Sequence, residues 1–463
     1  MAPIENREAL CSHGDAAAAR EFLLDVVDGA LAAVHPDRLV PERIALDGET
    51  LVVDGRRYDL GSTDRVLVVG AGKGSLALVR AVRDVLGDRL SGGVVVEKRG
   101  DDIDGEGENA RGAVPDGVEV HEAGHPIPDE AGHRAARAVT DLAESAGEDD
   151  LVLACITGGA SALLPLPVPG ITLDELAETT RVLLEAGAPI EDVNAVRKHL
   201  SRIKGGRLAE AIHPATTVSL IIVDEVAGEP WGPTVPDPTT FADAVRALER
   251  HGLRDRVPPV LEHLTESQDH PDRETPTPDS FGRLDTHAVV LADAGDVCEA
   301  ACERAEALGV EAMLLSTVLE GESREVGTCL SGIAKEVAAS GRPVEPPCAI
   351  VSGGETTVTV GENAGEGGPN QEFALGAALG VAGLDAAAVA VGTDGTDGPT
   401  DLAGGLIDGG TAGRAERMGV DLHETLRRHD AANALRELGD AVYTGPTGTN
   451  VMDLRVVLVR DAE

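Results

Sequence analysis

The sequence predicts an α/β fold arranged as two domains. Three observations carry this reading. Short apolar runs alternate with amphipathic segments in both halves of the chain. Several of those runs end on loops rich in Gly, Thr, Asp and Asn. At 463 residues, the chain is long enough for two cores without disulfide staples.

The elements follow in order. Residues 15 to 34 read as an opening helix, with Phe22, Val26, Ala30 and Val34 on one stripe. Val66 to Val69 is a buried strand, and the helix after it presents Leu76, Val79, Val82 and Leu86. Val94 to Val96, Leu151 to Ile156 and Val218 to Val223 are further strands. Strand and helix alternation of this kind predicts a parallel, doubly wound (Rossmann-like) sheet. Residues 101 to 117 are Gly- and Asp-rich and read as a loop. Residues 255 to 282 carry Pro, Asp, Glu and Ser with little periodicity, and are expected to be a linker. A second alternating region holds a strand at Ala288 to Ala292 and a helix from Gly295 to Leu308. Strands at Met313 to Leu315, Cys348 to Val351, Ala387 to Val391 and Arg455 to Val459 follow. The expected bounds are 1 to 254, a linker at 255 to 282, and a C-terminal mixed-sheet α/β domain at 283 to 463.

The charge narrows the class of partner. Acidic residues number 81 against 39 basic, giving a formal net charge of -42. Nucleic acid and anionic membrane are poor partners for such a surface. The acidity is spread along the chain, which suits high salt, where the Debye length falls to about 3 Å at 1 M. Only five lysines remain: Lys73, Lys98, Lys198, Lys204 and Lys335. Three of them, Lys73, Lys198 and Lys204, lie in motifs rather than on a general surface. The six cysteines form no Cys-x-x-Cys pair, and Cys155 and Cys348 sit in apolar strand runs. No signal peptide or long apolar stretch appears, so a soluble cytoplasmic protein is expected.

Several segments have the composition of ligand sites. Gly70-Ala71-Gly72-Lys73-Gly74-Ser75 joins a strand to a helix, a position that makes an anion site of the helix N-terminus. It is neither a P-loop nor a complete dinucleotide fingerprint. Glu97 ends the next strand, where a ribose-binding acid would sit. Read as one helix, Asn194 to Arg207 puts Asn194, Arg197, Ser201 and Lys204 on one face, suited to a phosphate or carboxylate. His199 falls off that face and reads as structural. Thr157-Gly158-Gly159-Ala160-Ser161 lacks the Gly-x-Ser-x-Gly nucleophile elbow and reads as a hydroxyl-lined ligand loop. Asp129 precedes a helix and is expected to cap it. Asp224, at a strand end, is a candidate metal ligand or base.

Three loops of the C-terminal half complete the set. They are Ser352-Gly353-Gly354-Glu355-Thr356-Thr357, the run Gly392 to Asp401, and Thr444-Gly445-Pro446-Thr447-Gly448-Thr449-Asn450. Glycines let backbone N–H groups approach an anion. Carboxylates among them suggest Mg²⁺, which takes one or two carboxylates plus phosphate oxygens. Glu355, Asp394 and Asp397 are the candidate metal ligands.

These loops also carry a resemblance. Gly367-Gly368-Pro369-Asn370-Gln371-Glu372, Gly392-Thr393-Asp394-Gly395-Thr396-Asp397-Gly398 and Thr444 to Val451 resemble the C-terminal MOFRL module of glycerate 2-kinases. In the N-terminal half, Gly70 to Gly74, Gly124-His125-Pro126-Ile127-Pro128-Asp129, Thr157 to Leu163, Arg197 to Gly206 and Gly232 to Asp237 look like the same family. The acidity points to a halophilic archaeal member.

The resemblance implies ATP-dependent phosphorylation of D-glycerate to 2-phosphoglycerate, with Mg²⁺ bridging the phosphates. By resemblance Lys73 contacts the substrate or phosphate. Together with the readings of the segments above, the candidate catalytic residues are Lys73, Arg197, Asp224 and Asp394, and the candidate substrate or phosphate contacts are Gly72, Gly74, Gly158, Gly159, Ser161, Lys198, Ser201, Lys204, Asn370, Thr447 and Asn450. A monomer or homodimer is expected. One departure stands out: Pro369 occupies a position where the family usually has Arg, so Arg197 or Arg324 would have to stand in. The alternative enzyme is an NAD(P)H-dependent hydroxypyruvate reductase, resting on the Gly70 loop and Glu97. A non-catalytic sugar-acid-binding protein is the third reading.

Overall fold

A computed structural model describes residues 4–12, 14–100, 113–223, 231–361 and 364–460. The chain forms two compact units. One joins Val40–Val223 to Glu229–Leu291, and the other joins Met1–Leu39 to Ala292–Glu463.

The first unit holds β1 (Ile44–Asp47), β2 (Thr50–Val53), β3 (Arg56–Asp59), β4 (Val66–Ala71), β5 (Leu90–Lys98), β6 (Val118–Ala123), β7 (Leu151–Ile156), β8 (Thr216–Ile222) and β9 (Thr286–Ala292). The first three form a small antiparallel sheet. The other six form one sheet in the order β6-β5-β4-β7-β8-β9. The pairings among β6, β5, β4, β7 and β8 are all parallel. β4 and β7 are buried along their whole length, as expected of central strands covered on both faces. Strand order reverses on either side of β4, so the loops after β4 and β7 open at a topological switch point, where ligands of such sheets bind.

The second unit holds β10 (Glu311–Ser316), β11 (Cys348–Gly354), β12 (Ala386–Gly392), β13 (Gly404–Asp408), β14 (Ala441–Val442) and β15 (Asp453–Val459). Its sheet runs β10-β11-β15-β12-β13-β14 and is mixed: β10 and β11 are parallel, and the remaining pairs antiparallel. The helices Ser323–Ser340 and Pro369–Gly380 pack on it, with Leu330, Ala334, Phe373 and Ala377 in the core. Both sheet types match the expected fold class.

The division of the chain differs from the expected one in two places. The opening helix Ala17–Ala33 belongs to the mixed-sheet unit, where Arg20, fully buried, pairs with Asp408 and Asp440. The expected linker is packed structure of the parallel-sheet unit. It contains the helices Pro258–Ser267 and Pro278–Phe281, and buries Val260 and Leu264 against Phe241 and Leu248. Proline at the first helical position starts a helix as readily as it breaks one, so polar, Pro-rich composition was a poor guide here. Among the described residues no helix is long and apolar enough to cross a membrane.

Candidate active site

The loops after β4 and β7 are stitched together. Ala71 and Ile156 are register partners, so both chains leave the sheet side by side. Gly72 has φ +130, and a Cβ there would lie 2.2 Å from the Thr157 carbonyl oxygen. Lys73 N–H donates to Gly158 O at 2.7 Å, and the Thr157 hydroxyl donates to Lys73 O at 2.9 Å. Only glycine permits this approach at position 72.

The same loop corrects one expectation. Its amides are not offered to a ligand. Gly72 N–H donates to Val96 O at 3.2 Å, and Gly74 N–H to a carboxylate oxygen of Glu97 at 3.2 Å. The Ser75 hydroxyl and Leu76 N–H donate to the other Glu97 oxygen. Glu97 is 3% exposed. It is the anion at the N-terminus of the helix Ser75–Leu86, where the orphan N–H groups and the helix dipole favour negative charge. Gly72 and Gly74 therefore shape the loop rather than cradle a phosphate, and Glu97 is unavailable to a ribose.

What the loop does present is the Lys73 side chain. Gly159 has φ +87, and a Cβ there would meet His125 Cδ2 and Nε2 at 3.2 Å and Lys73 Cγ at 3.4 Å. Lys73 and His125 thus converge on the Gly158–Gly159 turn, and both are partly exposed. Gly158 and Gly159 N–H find no acceptor among the described residues. Ser161, in the first turn of the short helix Ala160–Leu163, is partly exposed.

The expected basic helix face takes another form. The helix is Ile190–His199, and it ends before Ser201. The Ser201 hydroxyl accepts N–H bonds from Ile203 and Lys204, and Gly205 and Gly206 are left-handed at φ +61 and +86. These turns stop a helix. Even so, they fold Lys204 back toward Arg197. Lys204 is 8% exposed, and its ammonium donates to Leu164 O at 2.5 Å. Burial, and then the nearby Arg197 charge, push its pKa down to about 7. Burial also pushes Arg197 down to about 10. No anion offsets either cation among the described residues.

The neighbouring candidates are engaged otherwise. Lys198 pairs with the fully buried Asp237 at 3.3 Å. His199 is structural as expected: it bonds Ala195 O and Glu274 and packs on Phe241. Asp129 caps the helix Glu130–Glu144 through Gly132 N–H, again as expected. Asp224 lies outside the described residues.

The mixed-sheet unit holds the remaining candidates. Asp397, 3% exposed, accepts N–H bonds from Asn370 at 3.0 Å and Gln371 at 2.9 Å. It also accepts from the Asn370 side-chain amide at 3.2 Å. It therefore caps the helix Pro369–Gly380 from another loop. Burial, and then the neighbouring Asp453, raise its pKa to about 7. Asn370 Nδ2 also donates to Asp453 at 2.7 Å. Asp394, partly exposed, accepts from Thr396 N–H at 2.8 Å in a tight turn. The Thr447 hydroxyl donates to Thr393 O, which laces the two Gly/Thr loops together. Asn450 is 6% exposed. Glu355 is exposed just beyond β11. Among the described residues no three His, Cys, Asp or Glu side chains gather as a metal-ligand set. Glu355, Asp394 and Asp397 are therefore not one centre. Pro369 sits at the first position of its helix, where a missing N–H costs nothing, and Arg324 donates to Leu426 O.

Sequence reasoning missed Asp453 and Arg455. Arg455 is fully buried, bonds Asp453 at 2.7 Å and Thr356 at 2.8 Å, and lies over the Phe373 ring. The available signal was a pair of opposite charges two residues apart, on one face of an otherwise apolar strand.

Comparison with known proteins matches this architecture. Residues 22–266 match a family described as a domain of unknown function (DUF4147), and residues 348–453 match the MOFRL family. A glycerate 2-kinase of Pyrococcus horikoshii is 39% identical over 445 residues, covering 95% of this chain and 97% of that protein. A relative from Agrobacterium vitis, 38% identical over 95% of this chain and 94% of its own length, carries a hydroxypyruvate reductase name. The crystal structure of a glycerate kinase from Thermotoga maritima superposes with a TM-score of 0.77 at 37% identity, covering 96% of this chain and 99% of that one. By sequence along nearly its whole length and by fold, the chain belongs to the glycerate 2-kinase family.

Proposed function

We propose that this protein transfers the γ-phosphoryl group of ATP to the 2-hydroxyl of D-glycerate, giving 2-phosphoglycerate and ADP. The observation that carries the reading is the Arg197–Lys204 pair, two cations with no anion to offset them among the described residues. A small carboxylate supplies the missing charge, and guanidinium and ammonium donors bind it with charge-assisted hydrogen bonds. Lys73, over the Gly158–Gly159 turn, contacts the transferred phosphoryl group. The Gly158 and Gly159 amides and the Ser161 hydroxyl add donors around it. Phosphoryl transfer depends chiefly on positioning and charge neutralisation, and these groups supply both.

In the mixed-sheet unit, Asn450 and the Thr447 loop serve the nucleotide phosphates. Mg²⁺ arriving with the nucleotide needs only one or two protein carboxylates. Glu355, which is exposed, and Asp394, which is partly exposed and held by Thr396, are the candidates for that role. Asp397 fits poorly, because three N–H donors already occupy its oxygens. When bound, Mg²⁺ would neutralise the β- and γ-phosphate oxygens. The cytoplasm of a halophile, with molar KCl, is the setting we infer from the charge.

The reductase reading loses its main support in Glu97, which is spent on the helix terminus. The test is a coupled assay in molar KCl. ADP release that requires D-glycerate, ATP and Mg²⁺ supports the kinase. NADH oxidation on hydroxypyruvate without ADP release would replace it with the reductase.

A further inference from the structure

The Gly124-His125-Pro126-Ile127-Pro128-Asp129 loop brings a titratable side chain to the Lys73 site. The loop leaves β6 and is held at its far end. Asp129 accepts from Gly132 N–H at 2.8 Å and from Arg99 at 2.8 Å. Position 124 must stay small, because a Cβ there would lie 2.8 Å from the Asp129 carboxylate. This anchoring turns the His125 ring edge, with its Cδ2 and Nε2, onto Gly159 beside the Lys73 side chain. The ring therefore stands at the turn whose two glycine amides lack acceptors among the described residues.

Phosphorylating a hydroxyl is helped by a group that takes its proton, and histidine is the side chain most often used in general acid–base catalysis. The described carboxylates of this corner are otherwise committed. Glu97 binds the helix terminus at Gly74 and Leu76, and Asp129 caps the next helix. We propose that His125 is a further catalytic residue, the general base for the substrate's 2-hydroxyl. The proposal rests on the glycerate kinase reading above. The hydroxyl proton passes to His125 Nε2 as the 2-oxygen forms its bond to the γ-phosphorus. The bond from γ-phosphorus to the β,γ-bridging oxygen breaks, and its electron pair leaves with ADP. The imidazolium then returns its proton to water. Among the described residues the Lys73 side chain meets the same turn as the ring, and the Asp129–Arg99 pair holds the far end of the His125 loop.

The experiment uses the full chain in molar KCl with D-glycerate, ATP and Mg²⁺. His125→Gln is expected to lower kcat by about 10²- to 10⁴-fold with KM for glycerate near wild type, and to abolish the acid limb of kcat/KM. Free imidazole is expected to restore activity to His125→Gly in a concentration-dependent way, which also shows that the variant is folded. A His125→Gln chain with kcat within about twofold of wild type would overturn the assignment. So would an effect on KM alone, or a His125→Gly chain that imidazole does not rescue. A wild-type chain that makes no 2-phosphoglycerate would overturn the kinase reading, and this proposal with it.

Discussion

Lys204 and Arg197 form a pair of like charges, Lys204 buried and Arg197 partly exposed: the Lys204 ammonium sits against Leu164 O at 2.5 Å and is repelled by the Arg197 guanidinium. Burial and repulsion lower the Lys204 pKa from 10.5 to about 7. Between those values the folded chain binds fewer protons at Lys204 than the unfolded chain. This group's contribution to stability therefore rises from pH 7 toward 10.5, and its full cost stands below pH 7. A bound carboxylate favours the charged form, so glycerate binding at pH 8 should take up a proton. Calorimetry in buffers of different ionisation enthalpy measures that uptake. Lys204→Met should abolish it and raise KM for glycerate about tenfold or more. Unchanged proton uptake in the variant would remove Lys204 from the substrate site.

Glu97 is predicted to be a stability residue. Glu97→Ala leaves the Gly74 and Leu76 N–H groups and the Ser75 hydroxyl without their acceptor. Chemical denaturation should show a loss of about 2–3 kcal/mol. Unchanged stability with weakened nucleotide binding would restore the dinucleotide reading.

Gly159→Ala should damage activity more than folding. The new methyl meets His125 and Lys73, and the backbone strain of a left-handed Ala costs about 1–2 kcal/mol. Displacing the two side chains should lower kcat/KM by about 10²-fold. A variant as active as wild type would mean that neither side chain works at this turn.

Arg20 should anchor the N-terminal helix to the mixed-sheet unit. Replacing it with Ala strips two buried carboxylates, Asp408 and Asp440, of a shared partner, although Arg414 still reaches Asp440. The expected loss is about 3–5 kcal/mol, read from the denaturation midpoint. A loss below about 1 kcal/mol would show the pair to be replaceable.

Salt should stabilise the chain. At a net charge of -42, self-repulsion is large at low ionic strength and screened in molar KCl. Tm should climb between 0.1 M and 2 M KCl. Highest stability at low salt would contradict the halophilic reading.

The strands were legible because they are plain apolar runs: the expected Leu151–Ile156 is β7 itself, and β4, β5, β11 and β12 contain their expected cores. Loops with glycine at strand ends were legible for the same reason. How each loop spends its polar groups was not legible. Glu97 and Asp397 are distant in sequence from the helix ends they cap, and no local pattern announces a cap delivered by another segment. The single helix expected from Asn194 to Arg207 failed because Ser201 bonds the backbone two and three residues on. Periodicity alone cannot see that competition. The sequence shows His125 only as part of a loop motif, because its neighbours at Gly159 and Lys73 are distant in sequence and meet it across parallel strands.

The central claim is phosphorylation of glycerate at its 2-hydroxyl. Proton-coupled ³¹P NMR of the product made from D-glycerate and ATP tests it most directly. A phosphorus signal split by the single C2 proton is the predicted result. A signal split by the two C3 protons, or no new phosphate ester, would contradict the account.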